Sequence, residues 1–467
     1  MTATQIGADS EATRIAIRLS RRHAAAQDCF NRFAKVLNCP CDMILSTHAG
    51  GNTMKVFQEL GQMTAANWSR LGGHDEAFPE AATLALGESG VLNQVDASSI
   101  VDWFAGSNDV PEQYVNEFGQ PPINVYVADK FYIHVLFWLD ATTSIHAHGF
   151  TGAFGVLAGS SVHSQYQFDV LQPLAKELQL GHVRYLSSEL LKKGDLRTIS
   201  GSSFIHALFH LDRPSVSVVV RTKATRKTVQ YNYLTPHVAL DPLFQDPLIT
   251  IRLRLLDSLQ SVRSEQLWDY AERLITEQAP WTAYHALATA YKLSRPNASR
   301  WQQLVEKAKA IWGQQNVEWM LASVKFEERS LKLSRLRSVV HDPDYRFLLA
   351  LLLNVPSRSV LLKLVERQYN IESPESLVVQ WLKEMSAAGL FLTKLDPEIL
   401  AVLELAVRYG TFQKARAAIT NSDGSYSILM DEGAMKTLWN NVSANSFFQP
   451  LFETMDNFRE TLAVKAA

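Results

Sequence analysis

The sequence contains two kinds of hydrophobic pattern. In a central stretch, apolar and β-branched residues form short dense runs, whereas in both flanks apolar residues recur every three or four positions. The first pattern predicts strands and the second predicts helices, because side chains alternate along a strand but share one face of a helix at that spacing. The central stretch runs from Phe131 to Thr222 and opens with the apolar run Phe131–Trp138. We therefore predict an α+β protein with a β-rich centre between helical regions.

Successive segments of the centre are rich in β-branched or aromatic residues and are predicted to be strands. They are Asn124–Val127, Phe131–Leu139, Ser144–Phe150, Ala153–Leu157, Val162–Phe168, Val183–Leu186, Phe204–Phe209, Ser215–Arg221 and Thr228–Leu234. Turn residues at Gly194–Asp195 and Gly201–Ser202 lie where the chain has to reverse. A closed barrel over residues 119–238 would hide the edges of such apolar strands.

The flank before the barrel, residues 1–118, is predicted to be helical, with breaks at Ala49–Asn52 and Leu71–His74. Such a region is suited either to cap the barrel or to form a homodimer interface. After the barrel, residues 239–340 repeat apolar positions at helical spacing, and Pro280 is one of the residues that separate the helices.

The last region, residues 341–467, is also predicted to be helical and loosely resembles a winged-helix module. Its pattern predicts three helices and a short strand, at Leu348–Leu353, Val360–Val365, Leu377–Met385 and Leu390–Thr393. DNA reading would need a basic recognition helix, yet the stretch Glu375–Ala388 around the third helix carries Glu375 and Glu384 against only Lys383. We therefore expect no nucleic-acid partner.

Candidate chemistry begins with two histidines in the run Ser144-Ile145-His146-Ala147-His148. On a strand, His146 and His148 would point to the same face. Neutral imidazoles on one face can bind a metal ion together, and a histidine from a neighbouring strand would leave open positions for substrate and oxygen. An isolated pair is also typical of core or surface histidines, but the β-rich surroundings and the later His206 favour a metal site.

These residues resemble the cupin superfamily of small β-barrels. The run from Phe131 through His148 to Gly159, with His206 further along, is similar in particular to the cysteine-dioxygenase-like thiol dioxygenases. The shared features are an apolar strand with a tryptophan, the Ser-Ile-His-x-His core and a Leu-x-Gly turn, and the resemblance covers residues 121–235. It implies a cupin-type barrel that holds a mononuclear non-haem Fe(II) ion and oxidises a small polar, amino-acid- or thiol-like molecule with O₂.

The resemblance also assigns the third metal ligand. It favours His206, and it puts His210 at a position where many cupins have an asparagine near the metal. His210 is the alternative third ligand, or else a hydrogen-bond partner of the ligands.

The sequence departs from the family pattern at several positions. Most cupins carry a glutamate shortly after the second histidine, where Gly152 and Ala153 stand here, so the resemblance implies a three-histidine site. Arg221 stands where the thiol dioxygenases often carry a tyrosine. Because a guanidinium forms a bidentate pair with a carboxylate, Arg221 is the predicted anchor of an anionic substrate group, although a surface arginine at a strand end is the alternative.

The predicted catalytic set comprises Arg221, His210, Tyr166 and His163. His134 and Trp138 share a strand face and are further candidates for lining the pocket. Which face of each strand points inward depends on where β-bulges fall, so the alternation alone leaves both choices open.

Composition sets the outer limits of the function. Lys and Arg total 45 against 47 Asp and Glu, and this net charge of −2 gives no electrostatic basis for binding nucleic acid or an anionic membrane. No apolar run is long enough to span a bilayer, and Met1–Ile6 opens no apolar signal-peptide core. A cytoplasmic enzyme is therefore expected.

The chain has three cysteines, Cys29, Cys39 and Cys41, which suit a reduced compartment better than a disulfide framework. With His48 they could form a zinc site, but the C-x-C spacing is unusual for structural zinc, so idle thiols are favoured.

The expected partners are a small-molecule substrate and O₂. The sequence has no G-x-G-x-x-G fingerprint for a dinucleotide. Imidazole also suits zinc, copper and nickel, so another divalent transition metal remains open. The alternative function is a non-oxidative or non-catalytic metal-binding cupin, a sensor or an isomerase with a helical interaction tail.

Overall fold

The computed structural model describes residues 49–114, 118–139, 143–223, 229–292, 294, 297–391, 395–420, 431–445 and 447–453. Within them the strands occupy one continuous part of the chain, and helices lie on both sides of it. The strands are β1 (Pro122–Val127), β2 (Phe131–Trp138), β3 (Ile145–His146), β4 (Gly152–Ala158), β5 (Ser161–Gln172), β6 (Leu178–Leu191), β7 (Leu196–Ile199), β8 (Ile205–His210), β9 (Ser215–Thr222), β10 (Asn232–Leu234) and β11 (Val238–Leu240). The predicted α+β class is confirmed.

The strands form two antiparallel sheets. One has five strands in the order β1-β2-β9-β4-β7, and the other is a closed barrel in the order β10-β11-β6-β5-β8-β3. The barrel closes at its shortest strand, because β3 pairs with β10 on one side and with β8 on the other. The closed barrel predicted from the sequence is therefore confirmed.

Strand β2 separates a helix-packed core from an internal cavity. All eight of its residues are buried. Ile133, Val135 and Phe137 pack with the N-terminal helices, whereas His134 and the next even-numbered residues face the cavity. The structure thus shows which face of β2 points inward, a choice that the alternation of the sequence left open.

The N-terminal helices are α1 (Ala49–Arg70), α2 (Phe78–Glu88), α3 (Val91–Gln94) and α4 (Ala97–Gly106). The predicted break at Leu71–His74 is confirmed: α1 ends at Arg70, and Gly72 and Gly73 have φ values of +96° and +71°, a left-handed conformation that suits glycine after a helix. The predicted break at Ala49–Asn52 is wrong, because these residues form the first turn of α1.

The C-terminal part of the described chain is helical, as predicted. Its helices are α5 (Pro247–Ser261), α6 (Gln266–Thr276), α7 (Pro280–Tyr291), α8 (Ala298–Trp312), α9 (Gln314–Val339), α10 (Pro343–Asn354), α11 (Arg358–Tyr369), α12 (Pro374–Ala387), α13 (Pro397–Tyr409), α14 (Phe412–Thr420) and α15 (Glu432–Ser443). Several begin with proline, which is favourable because the first residue of a helix has no intrahelical acceptor for its N–H, and proline has no N–H to leave unpaired. No described helix is both long and apolar enough to cross a membrane.

Some predicted strands differ from the observed ones. The segment Ser144–Phe150 forms a strand only at Ile145 and His146, and β7 and β11 were not predicted. The strand predicted at Leu390–Thr393 is wrong over Leu390 and Phe391, which form a turn, and its remaining residues lie outside the described chain. Thr228 also lies outside it, and the strand predicted to begin there is described from Asn232.

The C-terminal helices pack directly on the barrel. Val162 of β5 and Phe209 of β8 belong to the same buried cluster as the apolar residues of α10 to α13. Arg346 of α10 is buried and donates from its Nε to the Leu211 carbonyl oxygen at 2.8 Å and from a terminal nitrogen to the His210 carbonyl oxygen at 3.2 Å. The end of β8 is therefore held by a helix of the C-terminal region.

Candidate metal centre

Three buried histidines meet on the inner side of the barrel. His146 lies on β3, His148 follows that strand by two residues, and His206 lies on β8 directly opposite His146. One ring nitrogen of each lies within 4.8 Å of those of the other two. The three side chains are 3%, 7% and 3% exposed, so the cluster is shielded from solvent.

Hydrogen bonds determine which nitrogens point into the cluster. His146 donates from Nδ1 to the Ser144 carbonyl oxygen at 2.8 Å, which leaves its Nε2 unprotonated. The Nε2 atoms of His148 and His206 are 2.9 Å apart. Two nitrogens bound to one ion at about 2.1 Å and at right angles lie about 3 Å apart, so this spacing suits two neighbouring ligands of one metal ion.

A chain of hydrogen bonds behind His206 fixes its orientation. His206 Nδ1 lies 3.0 Å from His163 Nε2, and His163 Nδ1 lies 2.9 Å from Glu189 Oε1. Arg197 forms an ion pair with the same carboxylate and donates from Nε at 2.7 Å. A charged Glu189 accepts the proton of His163 Nδ1, so His163 Nε2 accepts from His206 Nδ1, and the Nε2 lone pair of His206 points to the cluster.

The electrostatics agree with this assignment. Hydrogen bonds from His163 and Arg197 lower the pKa of Glu189 to about 2, which keeps it ionised. Burial lowers the pKa of His146 to about 4 and holds the pKa of His148 and of His206 well below the usual histidine range. The imidazoles of the cluster are therefore neutral at physiological pH, the state in which they bind metals.

The donor set is suited to a divalent transition metal. It consists of imidazoles alone, because within the described part of the chain no carboxylate or thiol joins the three histidines. Imidazole ligands suit iron, zinc, copper and nickel but not calcium or magnesium, which prefer oxygen. Three ligands from two strands and a loop leave further coordination positions open towards a cavity.

That cavity has a volume of about 60 Å³ and lies between the five-stranded sheet and the histidine cluster. Its walls are mostly apolar, with contributions from Phe118, Leu136, Trp138, Phe150, Phe154, Ile199, Leu208 and Val219. Three polar side chains of the five-stranded sheet, His134, Ser217 and Arg221, face into it from β2 and β9. Among the described residues that line it, the cavity therefore combines a metal-ligand cluster, mostly apolar walls and a single guanidinium.

Arg221, the predicted anion anchor, is 8% exposed and lines this cavity. Its guanidinium carbon lies 3.3 Å from the centre of the Phe150 ring and 5.2 Å from that of Tyr132. Burial lowers its pKa to about 10, so it stays charged at neutral pH. Within the described residues it forms no ion pair, and its Nε donates only a long bond of 3.4 Å to the Thr222 carbonyl oxygen. The alternative of a surface arginine does not hold.

The other predicted catalytic residues lie further from the cavity. His163 contacts His206 from behind, as described. His210 stacks on Trp138 with 4.5 Å between ring centres, and its Nδ1 lies 2.9 Å from the Ser161 hydroxyl oxygen. His210 is thus near the cavity wall but outside the histidine cluster, and His206 takes the place in the cluster.

Tyr166 does not line the cavity. Its hydroxyl donates to the Asn354 carbonyl oxygen of α10 at 3.1 Å, and a β-bulge between Gln165 and Tyr166 shifts the strand register at this point. The tyrosine thus joins the barrel to the C-terminal helices. The candidate zinc ligands Cys29, Cys39, Cys41 and His48 lie outside the described residues.

Sequence reasoning missed Glu189, Arg197, Ser144 and Phe150. The pairing of His163 with Glu189 follows from the β5–β6 register, in which the two residues are directly opposite, and no local motif signals it. Phe150 lies two residues after His148 in the sequence, and this position was the available signal. In the structure the centres of the His148 and Phe150 rings are 4.7 Å apart.

No family model matches the sequence, and no curated protein matches it significantly. Among solved structures, part of the chain is similar to hydroquinone 1,2-dioxygenase from Sphingomonas sp. TTNP3 with 4-hydroxybenzoate bound. This similarity has 10% identity and a TM-score of 0.19, and it covers 24% of this chain and 70% of that chain.

Two further solved structures are similar to parts of the chain. The DMSP lyases RdDddP and RnDddQII match with 12% identity and a TM-score of 0.24, covering 39% of this chain and 99% of that chain. CapF with inhibitor 3-isopropenyl-tropolone matches with 13% identity and a TM-score of 0.18, covering 38% of this chain and 45% of that chain. With TM-scores this low, the chemistry of this chain has to be inferred from its own residues.

Proposed function

We propose that this protein is a mononuclear non-haem iron oxygenase of the cupin type that oxidises a small polar, amino-acid- or thiol-like molecule with O₂. The observation that carries the proposal is a cluster of three neutral, buried imidazoles that opens on a cavity containing one buried guanidinium. The finer resemblance to cysteine-dioxygenase-like enzymes belongs to the same proposal, because it also implies three histidines in place of two histidines and a carboxylate.

The neutral ligand set determines what the centre would bind. His146, His148 and His206 would hold the ion through Nε2 and leave its double positive charge uncompensated by protein ligands. An uncompensated cation attracts an anionic ligand, such as a thiolate or a carboxylate of the substrate. When bound, iron(II) would supply the electrons with which O₂ is activated, so that no organic redox cofactor is needed.

Arg221 would bind the anionic group of the substrate. A guanidinium forms two parallel hydrogen bonds with a carboxylate, and these gain strength where water is excluded. Its contact with Phe150 holds it in place without neutralising it, since a ring face attracts the charge but leaves the N–H groups available. The substrate would therefore be oriented between the cation of the site and a second, fixed cation.

The apolar walls would exclude water from the reacting groups. Leu136, Phe154 and Val219 line the space between the histidines and the sheet. A low-dielectric lining strengthens the electrostatic contacts of the substrate and protects reactive species from water. His134, which faces the cavity from β2, offers an uncharged ring as hydrogen-bond partner, because burial and the charge of Arg221 hold its pKa well below the usual range.

The test combines metal analysis with oxygen uptake. Protein purified without added metal is analysed by mass spectrometry for iron, zinc, copper and nickel, and is then loaded anaerobically with Fe(II). Oxygen consumption is measured with an electrode on addition of small thiols, amino acids and hydroxy acids. We expect iron to bind in a ratio of one per chain and oxygen uptake to begin only when a substrate is added.

Three results would contradict the proposal. Zinc as the bound metal, or iron without substrate-triggered oxygen uptake across the panel, would favour the non-oxidative alternative, a metal-binding sensor or isomerase. Absence of metal binding altogether would contradict both.

A further inference from the structure

We infer that a second cavity, outside the histidine cluster, binds an oxyanion at the far end of the substrate, so that the substrate is negatively charged at both ends. We call this cavity the vestibule. It is lined by Trp68, Asp75, Lys130, Phe150, Ser202 and Lys223 together with neighbouring loop residues. The inference rests on the proposed function only in taking the inner cavity as the place of the reacting end.

The vestibule is the larger and more polar of the two cavities, with a volume of about 580 Å³. Its lining includes residues 149–151 and 200–202, and the hydroxyl groups of Ser200 and Ser202 can donate hydrogen bonds. The inner cavity is mostly apolar, so a polar or charged part of a ligand would be better solvated in the vestibule.

The two cavities share a wall. His148 and Phe150 line both of them, and the Phe150 ring is the one on which the Arg221 guanidinium lies. A ligand that reaches from the vestibule to His148 therefore passes Phe150. Arg221 would hold one anionic group on the inner side of this ring, and the vestibule would hold the other end.

The charges in the vestibule favour an anion. Lys130 and Lys223 contribute two positive charges and Asp75 one negative charge, and in the described part of the chain none of the three forms an ion pair. The Lys130 ammonium lies 5.9 Å from the centre of the Trp68 ring, which positions it without neutralising it. The two lysines are neighbours in space, because the Lys223 backbone N–H donates to the Lys130 carbonyl oxygen at 2.9 Å.

The test uses four probes that share a carboxylate and a chain of methylene groups and differ in the opposite end. They are pentanoate with a methyl end, glutarate with a carboxylate end, 4-phosphonobutyrate with a phosphonate end and 4-aminobutyrate with an ammonium end. Binding to metal-free protein is measured by calorimetry. We expect glutarate and 4-phosphonobutyrate to bind about fivefold more tightly than pentanoate, since two exposed charge pairs contribute about 1 kcal/mol. The ratio between these two distinguishes a carboxylate from a phosphate end.

Variants assign the preference to the vestibule. The double variant K130Q/K223Q should bind glutarate no more tightly than pentanoate, while the matched double variant K363Q/K436Q, with exposed lysines of α11 and α15, should keep the preference. Asp75→Asn should tighten glutarate binding by about twofold, because it removes a repulsion. A misfolded variant would lose affinity, so tighter binding by Asp75→Asn cannot be explained by misfolding.

Three results would overturn the inference: equal binding of pentanoate and glutarate, a preference that survives in K130Q/K223Q, or tightest binding of 4-aminobutyrate, which would mean that Asp75 dominates. Because the probes are tested without metal, the outcome is independent of the oxygenase proposal. A protein that prefers the dianions but takes up no iron would retain the vestibule and lose the proposed function.

Discussion

The three histidines have the same chemistry but different support. His146 is oriented by the Ser144 carbonyl oxygen, and His206 is oriented by His163. Nδ1 of His148, by contrast, is buried and has no hydrogen-bond partner among the described residues. Since outer hydrogen bonds raise the affinity of a ligand for its metal, His148 is the ligand that depends most on the ion itself for its orientation.

We predict that His148→Ala abolishes stoichiometric metal binding. The loss should exceed the roughly 10–100-fold that changes behind a ligand typically cost, because a ligand atom itself is removed. Titration with Co(II) against a chelating indicator measures the affinity. His182→Ala, which removes an exposed histidine of β6, is the matched control and should bind like the wild type. Full metal occupancy in His148→Ala would refute the ligand assignment.

Glu189 should act on the metal through two histidines. We predict that Glu189→Gln weakens Co(II) binding by about 10–100-fold, because the neutral side chain no longer fixes the tautomer of His163 and hence of His206. Asp169→Asn is the control, since Asp169 also pairs with an arginine between β5 and β6 but lies outside the chain of hydrogen bonds from Glu189 through His163 to His206, which we call the relay. If Glu189→Gln binds Co(II) like the wild type while His148→Ala does not bind it, the relay does not contribute to metal affinity.

The metal cluster could be predicted from the sequence, but the relay could not. His146 and His148 form a local pattern, and His206 was assigned by resemblance to a family. Glu189 becomes a partner only through the register of two long strands, which carry β-bulges whose positions the sequence does not reveal. The even-numbered face of β2 likewise became certain only with the structure.

At the scale of elements, α7 carries an unusual histidine that is half-buried and whose Nε2 atom is fully buried. His285 lies against Trp281, with 4.0 Å between ring centres, and its Nε2 is buried without a hydrogen-bond partner among the described residues. Burial lowers the pKa of His285 from 6.5 to about 4. The unfolded chain therefore takes up a proton before the folded chain does, so the stability is complete above pH 6.5 and falls as the pH drops towards 4.

We predict that His285→Leu reduces the acid sensitivity of the protein. Between pH 6.5 and 4 the wild type should lose up to about 1.4 kcal/mol of unfolding free energy per pH unit through this residue, and the variant should not. Urea unfolding at several pH values measures the difference. His182→Leu serves as control, and an unchanged slope in His285→Leu would mean that the ring is accessible to protons in the folded state.

The strength of the sequence pattern decided which elements could be predicted. The long strand β2 and the helices α10, α11 and α12 were predicted, since their apolar residues form long runs or recur at helical spacing. The short strands β7 and β11 were missed because three or four residues cannot display an alternation. β3 was overextended to Phe150, because an apolar run does not reveal where strand pairing ends.

At the scale of the whole molecule, hydrogen bonds connect the barrel to the C-terminal helices near the histidine cluster. Arg346 donates to carbonyl oxygens of β8 and of the residue after it, and also to the Arg337 carbonyl oxygen at the end of α9. Tyr166 adds a bond from β5 to α10. The helical region therefore supports the strand that carries His206.

We predict that Arg346→Met lowers the unfolding free energy by about 2–4 kcal/mol, because several buried carbonyl oxygens lose a charged donor. Arg335→Met, which removes an exposed arginine of α9, should change it by no more than about 0.5 kcal/mol. Thermal unfolding followed by circular dichroism distinguishes the two. If both variants unfold like the wild type, the hydrogen bonds of Arg346 do not contribute to holding the helices on the barrel.

The shortness of β3 has a consequence for how the protein responds to its surroundings. His148, just beyond this two-residue strand, and His206 are 58 residues apart in the chain, so an ion shared by them would act as a reversible cross-link that closes a long loop. Because only the folded chain assembles the three donors, mass action would add about 2.7 kcal/mol of stability at a free metal concentration of about 100 times the dissociation constant. The melting temperature would then report metal supply, and a cell short of the metal would hold less of the intact protein.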